Sequence, residues 1–390
     1  MILIYPILTR IIGLENFGKV MVANALAGLL SILVNYGTIQ TSIKDVVSLR
    51  EDRQLLSEIF WKTFSIRLII FTVVTLVILF SFFLVNKNYF FYLFALPLVL
   101  AEVLNPMFFF LGVERLKILN FANLLAKVLT LVLIVLLIKG GNDSVYVNFI
   151  MGIILSFTYL FSIVWAIKKY RLKFTIPSWL SQLLILKSNF YLLANNFAVH
   201  LQQSLILFAL QGAGNALWLG AYALCDKVIW STRLLIISFS NSLYPKAAHI
   251  FKNEHHYWIK FKINVKLAVS ALFVLAAGML LLFPDFIIRL LAGETNELAA
   301  SYLRQMAFVP LLAALNFINV LDRLLKNDHY TIFRIALIML MISSFTSFVF
   351  VYSGKFQIFG FYAVITELMA LLLYEYFIRK TNKPMLNFKD

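Results

Sequence analysis

The sequence predicts an all-α, polytopic membrane protein with about twelve transmembrane helices in two six-helix bundles around a central cavity. Three observations predict it. First, 62% of the 390 residues are hydrophobic and the mean hydropathy is +0.89, too apolar for a soluble domain. Second, the apolar residues fall in runs of roughly twenty, the length a helix needs to cross a hydrocarbon core about 30 Å thick. Third, the charged residues, 13% of the chain, collect in short connections between those runs. The short alternating segments of an outer-membrane barrel are absent. A single cysteine, Cys225, excludes an intramolecular disulfide and a cysteine metal site. Met1 to Pro6 has neither a basic leader nor a cleavage site, so no cleavable signal peptide is expected.

In chain order, Met1 to Leu8 is apolar but too short to span, and reads as the last turns of a truncated first helix. A soft turn with Gly13 and Gly18 follows over Arg10 to Lys19. Apolar periodicity then predicts helices near 20–39, 64–85, 89–111, 119–138, 145–167, 190–210, 222–243, 264–284, 299–320, 332–352 and 358–378. No connection exceeds about 25 residues, which leaves no room for a catalytic domain outside the membrane.

The connections alternate in charge. One set (10–19, 86–88, 139–144, 211–221, 285–298 and 353–357) holds only Arg10, Lys19, Lys87, Lys139, Arg289 and Lys355 as cations. The other set carries most of the remaining lysines and arginines, among them Lys168, Lys169, Arg171, Lys173, Lys260, Lys262 and Lys383. The positive-inside rule places the second set, and both termini, in the cytoplasm. The net charge of +16 is therefore an orientation signal with some attraction to anionic lipid, and nothing further points to nucleic acid. The expected division is an N-terminal bundle over 1–168, a partly interfacial linker with Pro177 and Trp179 over 169–189, a C-terminal bundle over 190–380, and a cytoplasmic tail over 381–390. A shift of 202 residues supports two halves: it superposes Gly18 on Gly220, Asn24 on Asp226, Ser31 on Arg233 and Lys44 on Lys246.

Polar side chains recur inside the apolar runs at helical spacing. The stretch around Tyr222 to Lys246 carries Asp226, Trp230 and Arg233 on one face, with Lys227 beside them. A charge at mid-bilayer costs about 2.5–3.5 kcal/mol, so these groups need a protein interior or a wet cavity, the plainer alternative being an Asp226–Arg233 pair that locks packing. Asn24, Gly28, Ser31, Asn35 and Thr38 form a second stripe, and Asn196, His200 and Gln203 a third. Asn120, Asn123 and Lys127, and Arg304, Gln305, Asn316 and Asn319, form shorter ones. Interhelical hydrogen bonds explain a short stripe equally well. Glu102 and Lys127 are candidates to pair with each other, Glu367 lies in the last helix, and Arg67 and Arg334 lie near helix ends, where long side chains snorkel. The buried cations outnumber the buried anions, which favours an anionic substrate, since guanidinium groups bind phosphate bidentately.

Four segments resemble known sequences. Tyr5-Pro6-x-Leu8-Thr9-Arg10-x-x-Gly13-x-x-Asn16-Phe17-Gly18 resembles the opening of Wzx-type polysaccharide flippases of the multidrug/oligosaccharidyl-lipid/polysaccharide (MOP) exporter superfamily. Phe109-x-x-Gly112-x-Glu114-Arg115-x-Lys117 is similar to that family's turn between helices four and five, with Phe109 and Leu111 departing from its usual residues. Gly220-x-Tyr222 with Asp226-Lys227 and Leu243-Tyr244-Pro245 is similar to its helix-eight region, and Gly360-x-x-x-Val364-Ile365-x-Glu367 to its last helix. Family members carry a complete first helix before the Tyr-Pro.

The resemblance implies transfer of undecaprenyl-diphosphate-linked oligosaccharide from the inner to the outer leaflet of the bacterial inner membrane, with no enzymatic step. Arg10, Lys227, Arg233, Arg304 and Lys127 are then expected at the diphosphate, converging on one wet chamber, and Asn24, Asn35, Asn196 and Gln203 at the sugars. Asp226, His200 and Glu367 are the candidates for coupling to H+ or Na+, and no organic cofactor or metal is expected. Expected partners are the lipid-linked oligosaccharide and membrane lipid, with the polymerase and chain-length regulator of the same pathway as further candidates. Competing readings are a multidrug/cation antiporter of the same superfamily, which needs a carboxylate-dominated cavity, a membrane-embedded polysaccharide polymerase, and an assembly partner without transport of its own.

Overall fold

A computed structural model describes residues 4–81, 89–253, 255–326 and 328–381. The expected helix end at 82–85, the turn with Lys87, Glu254, and the tail with Lys383 and Lys389 lie outside the described residues. Sixteen α-helices run in order among them. They are α1 (Ile4–Asn35), α2 (Thr38–Leu49), α3 (Arg53–Ser81), α4 (Tyr89–Leu93), α5 (Leu96–Val103), α6 (Met107–Gly112), α7 (Leu116–Leu137) and α8 (Tyr146–Tyr170). Then come α9 (Trp179–Gly212), α10 (Ala216–Asn253), α11 (His255–Leu282), α12 (Pro284–Ala292), α13 (Glu297–Gln305), α14 (Val309–Leu325), α15 (His329–Tyr352) and α16 (Phe361–Thr381). Nine helical stretches among the described residues are long and apolar enough to cross a membrane. The 34-residue α9 and 38-residue α10 have the length but more polar side chains. The chain is thus an all-α, polytopic membrane protein. Outward-facing apolar residues such as Val77, Phe80, Phe161, Leu275 and Phe345 suit a hydrocarbon surround.

Several boundaries differ from the sequence expectation. The stub and the first full helix form one element, α1, broken at Gly13 alone; its φ of 75° and ψ of 162° suit glycine and no β-carbon-bearing residue. The expected connections 40–63 and 244–263 are largely helical, as α2 and the extended ends of α3, α10 and α11. Hydropathy marks only the stretch of helix inside the apolar layer, and these helices run on past it. The repeat pairing of Lys44 with Lys246 also meets different structure: Tyr36 and Gly37 turn the chain at positive φ before α2, whereas α10 continues through Pro245. The crossing over 89–112 is divided into α4, α5 and α6, with Pro97 at the start of α5 and Pro106 capping α6.

The chain divides into two compact units, Ile11–Ser204 and Ile2–Arg10 together with Leu205–Asp390. Most of α9 therefore groups with the helices that precede it. Three contacts tie it there: Gln182 Nε2 donates to Ser65 Oγ at 3.1 Å, Asn189 Nδ2 donates to Thr41 Oγ1 at 3.1 Å, and Leu192 packs on Gly37. In the first unit an aromatic core of Phe60, Phe64, Phe108, Phe109 and Phe110 joins α3, α6 and α8, with Val46 of α2 packed on Gly112. A small-residue core of Ala23, Ala27, Ala95 and Val99 lets α1 approach α5. In the second unit Trp258, Phe273, Ala314, Phe317 and Leu321 join α10, α11 and α14.

Candidate functional site

The first unit holds a cavity of about 470 Å³ lined by Ser31, Ile32, Asn35, Ile39, Gln40, Glu102, Asn195, Asn196, Val199, His200 and Gln203. The stripes of α1 and α9 thus meet across one space. Gly28 leaves room for the His200 ring between them: a β-carbon there would lie 2.8 Å from His200 Cε1. His200 also contacts Ser204, Nδ1 to Oγ at 3.5 Å.

The wall carrying Glu102 is built by a proline. Pro106 has no N–H to give the carbonyl of Glu102 four residues earlier, so a helix bond is missing within the apolar layer. Arg67 supplies donors instead. Its Nη1 donates to the Glu102 carbonyl at 3.3 Å and to the Asn105 carbonyl at 2.7 Å, and its Nε donates to Thr38 Oγ1 at 2.8 Å. The guanidinium is 0% exposed and lies 5.4 Å from the centre of the Phe108 ring. Asn105 completes the break: its Oδ1 accepts from the Met107 amide at 3.1 Å and its Nδ2 donates to Glu102 Oε2 at 3.1 Å. Asn35 Nδ2 donates to Glu102 Oε1. The carboxylate is thereby held at the cavity wall by two amides.

This corrects two expectations. Glu102 does not pair with Lys127; Lys127 is exposed on α7 among Phe121, Leu124 and Val128. Arg67 does not snorkel, because the broken crossing over 89–112 needs its donors. A proline four residues after an acceptor, inside an apolar run, was the signal for it. Of the expected sugar contacts, Asn35, Asn196 and Gln203 line the cavity. Asn24 instead donates to Asn148 Oδ1 at 3.3 Å, and Asn148 donates to the Val20 carbonyl at 2.9 Å, which ties α1 to α8.

The remaining candidates lie in the second unit, each with a partner. Arg233 Nη2 stands 2.6 Å from Glu367 Oε2, a half-buried pair, so the plainer Asp226–Arg233 reading is replaced by a different pair. Asp226 sits 3.6 Å from its neighbour Lys227, whose Nζ also lies 5.8 Å from the centre of the Tyr5 ring. Arg10 donates to the Leu290 carbonyl and packs against Gly293, which ends α12 at φ 84°. Arg304 faces Asp285 at 3.4 Å on an exposed surface. Lys227 lines a smaller cavity of about 190 Å³ with Tyr5, Pro6, Leu224, Val228, Ser231, Ile287 and Leu291. The expected convergence of these cations on one shared chamber is therefore not the arrangement within the unit: three face carboxylates and Arg10 a carbonyl.

A further polar network in the second unit was only partly legible. Asp322, beyond the expected helix end at 320, is 0% exposed in the last turns of α14. It accepts from Trp258 Nε1 at 2.9 Å and faces Lys262 Nζ at 3.0 Å and Lys326 Nζ at 2.8 Å. Arg323 stands 2.6 Å from Asp328, which also caps α15 through the Thr331 amide. Partial burial raises the Asp328 carboxyl, but hydrogen bonds from Thr331 and Arg323 outweigh it and hold the group below its ordinary value. Glu375 accepts from Lys266 at 2.9 Å and Asn319 at 3.2 Å, a pairing that joins α11, α14 and α16.

Comparison with known proteins places this arrangement. A protein described as a putative O-antigen transporter from Shigella dysenteriae is 23% identical over 314 residues, covering 79% of this chain and 77% of that protein. A multidrug resistance MATE family transporter of the MOP superfamily, solved in an inward-facing conformation, has a TM-score of 0.75 at 12% identity, with 97% of each chain covered. A multidrug resistance MATE family transporter of the MOP superfamily in an outward-facing conformation gives 0.60 at 13% identity, covering 97% of this chain and 95% of that one. These likenesses at low identity show a shared fold. The profile of the family described as "Polysaccharide biosynthesis protein" (Polysacc_synt) matches residues 1–251. That match covers more than half of the chain and assigns it, a polytopic membrane protein, to the polysaccharide biosynthesis protein family.

Proposed function

We propose that this chain moves a lipid-linked oligosaccharide repeat unit from the inner to the outer leaflet of the bacterial inner membrane, with both termini cytoplasmic. The observation that carries the reading is the first unit's cavity. Its volume of about 470 Å³ suits a ligand of a few rings, and Asn35, Asn195, Asn196, Gln40 and Gln203 supply paired donors and acceptors of the kind sugar hydroxyls and acetamido groups need. No chemical conversion is needed. Arg233, Lys227, Arg10 and Arg304 are the cations proposed to meet the diphosphate in the course of transfer rather than together at one resting site, each exchanging its present partner for phosphate oxygen; Lys127, exposed on α7, is a further proposed cation. Asp226, His200 and Glu367 are the groups proposed to couple transport to H+ or Na+. The polymerase and chain-length regulator of the same pathway are proposed as functional neighbours.

One observation favours a second reading. Among the described residues that line the amide cavity are Glu102 and His200 and no lysine or arginine, which suits an organic cation exported by a multidrug antiporter. One experiment separates the two. Purified chain is reconstituted in vesicles with a fluorescent lipid-linked oligosaccharide, and label exposed to a membrane-impermeant glycosidase is followed over time; extrusion of a cationic dye is measured in parallel. The flippase reading expects sugar transfer that falls severalfold in the Asn35→Ala/Asn196→Ala/Gln203→Ala variant, with no dye extrusion. Dye extrusion lost in Glu102→Gln, without sugar transfer, overturns it.

A further inference from the structure

We propose that the first unit carries a binding groove for an anionic glycerophospholipid beneath the segment that links α8 to α9. This rests on the first unit alone and not on the transport reading. A second cavity of about 470 Å³ lies between α3, α5, α8 and residues 174–177. Its walls are apolar: Phe64, Leu68, Val103, Leu104, Leu160 and Ile163 among them. Leu68, Leu160 and Val164 are exposed at its edge, so it opens sideways, where acyl chains lie.

The linking segment is pinned over one end of the groove. Trp61 Nε1 donates to the Lys173 carbonyl at 3.0 Å, the Lys173 amide donates to Ser57 Oγ at 3.1 Å, and the Phe174 ring meets Trp61 edge-on at 4.9 Å between centres. Beyond that clasp Phe174, Thr175, Ile176 and Pro177 form one wall of the cavity. One polar group on the lining and one behind it have an atom without a partner. Thr175 Oγ1, on the lining, is buried without a partner. Gln182 is 5% exposed; its Nε2 reaches Ser65 on the groove wall, while its Oε1 is buried and unpaired. A wholly apolar occupant leaves the Thr175 hydroxyl unmet, whereas the ester and headgroup region of a lipid supplies a partner.

Charge selects the headgroup. Lys168, Lys169, Arg171 and Lys173 are all exposed and directly flank the lining residues Ile167 and Phe174, and Lys62 follows Trp61. Glu58, one turn before Lys62, is the acid on that stretch of α3. A basic cluster bordering an apolar groove holds a phosphate at the membrane surface while one acyl chain fills the groove. A zwitterionic headgroup brings its own cation to the same lysines and is disfavoured.

The test uses the full chain in detergent, titrated with phosphatidylglycerol or phosphatidylcholine and read by native mass spectrometry. Wild type is expected to retain phosphatidylglycerol about tenfold over phosphatidylcholine. The variant Lys168→Ala/Lys169→Ala/Arg171→Ala/Lys173→Ala, which alters exposed side chains, is expected to reduce that preference to parity. Val164→Trp, which fills the groove mouth, is expected to lose the retained lipid while melting at the wild-type temperature. Equal retention of both lipids by wild type, an undiminished preference in the basic-cluster variant, or displacement of phosphatidylglycerol by equimolar undecaprenyl phosphate each overturns the proposal.

Discussion

Arg67 shows how one side chain sets the geometry of a site it does not line. Its donors satisfy two carbonyls released by the break at Pro106 and the hydroxyl that begins α2. Arg67→Ala is expected to cost about 3 kcal/mol, because three acceptors lose charge-assisted bonds at once. Thermal melting in detergent measures it, and Arg67→Lys should recover only part, since an ammonium cannot reproduce the planar fork. Arg233 has Glu367 as its partner and phosphate as its proposed one. Should the pair serve packing alone, Arg233→Ala/Glu367→Ala transports better than Arg233→Ala, because the stranded carboxylate is gone. Should Arg233 hold phosphate, both variants are equally inactive in the vesicle assay, and this is the expected outcome.

At the scale of elements, two glycines separate stability from activity. In α8, a β-carbon on Gly152 would lie 2.4 Å from the Leu98 amide nitrogen and the Pro97 carbonyl carbon, both backbone atoms that cannot move independently. Gly152→Ala is expected to push α5 away from α8 and destabilise the first unit by about 2–3 kcal/mol, seen as a lower melting temperature. In α1, the atom facing Gly28 is the far edge of a histidine ring, which can rotate. Gly28→Ala should leave the melting temperature nearly unchanged while turning His200 and lowering sugar transfer severalfold. Helix lengths carry the same lesson. Residues 40–63 and 244–263 read as loops because their composition is mixed, yet they continue as α2 and as the ends of α3, α10 and α11. Backbone hydrogen bonding does not stop at the boundary of the apolar layer, so hydropathy underestimates such helices at the charged end.

At the scale of the molecule, chemistry is divided between the two units. The cavity-lining amides Asn35, Asn196 and Gln203 belong to the first, and Arg10, Lys227, Arg233 and Arg304 to the second. Loss of sugar transfer is expected from substitutions in either unit, whereas dye extrusion, where it occurs, should respond to the cavity residues Glu102 and His200 and not to the cations of the second unit.

The sequence by itself determined the all-α membrane class, the order of the crossings and the resemblance to polysaccharide flippases, because each depends on local signals: apolar run length, helical spacing and short motifs. It also placed the stripes of α1 and α9 on faces that do meet. Only the tertiary structure decided which charges are neighbours. Arg233 found Glu367 rather than Asp226, Glu102 found Asn35 and Asn105 rather than Lys127, and Asp322 gathered Trp258, Lys262 and Lys326. Partners 64 or 134 residues apart in the chain are brought together by packing of whole helices, and no spacing along a single helix records that.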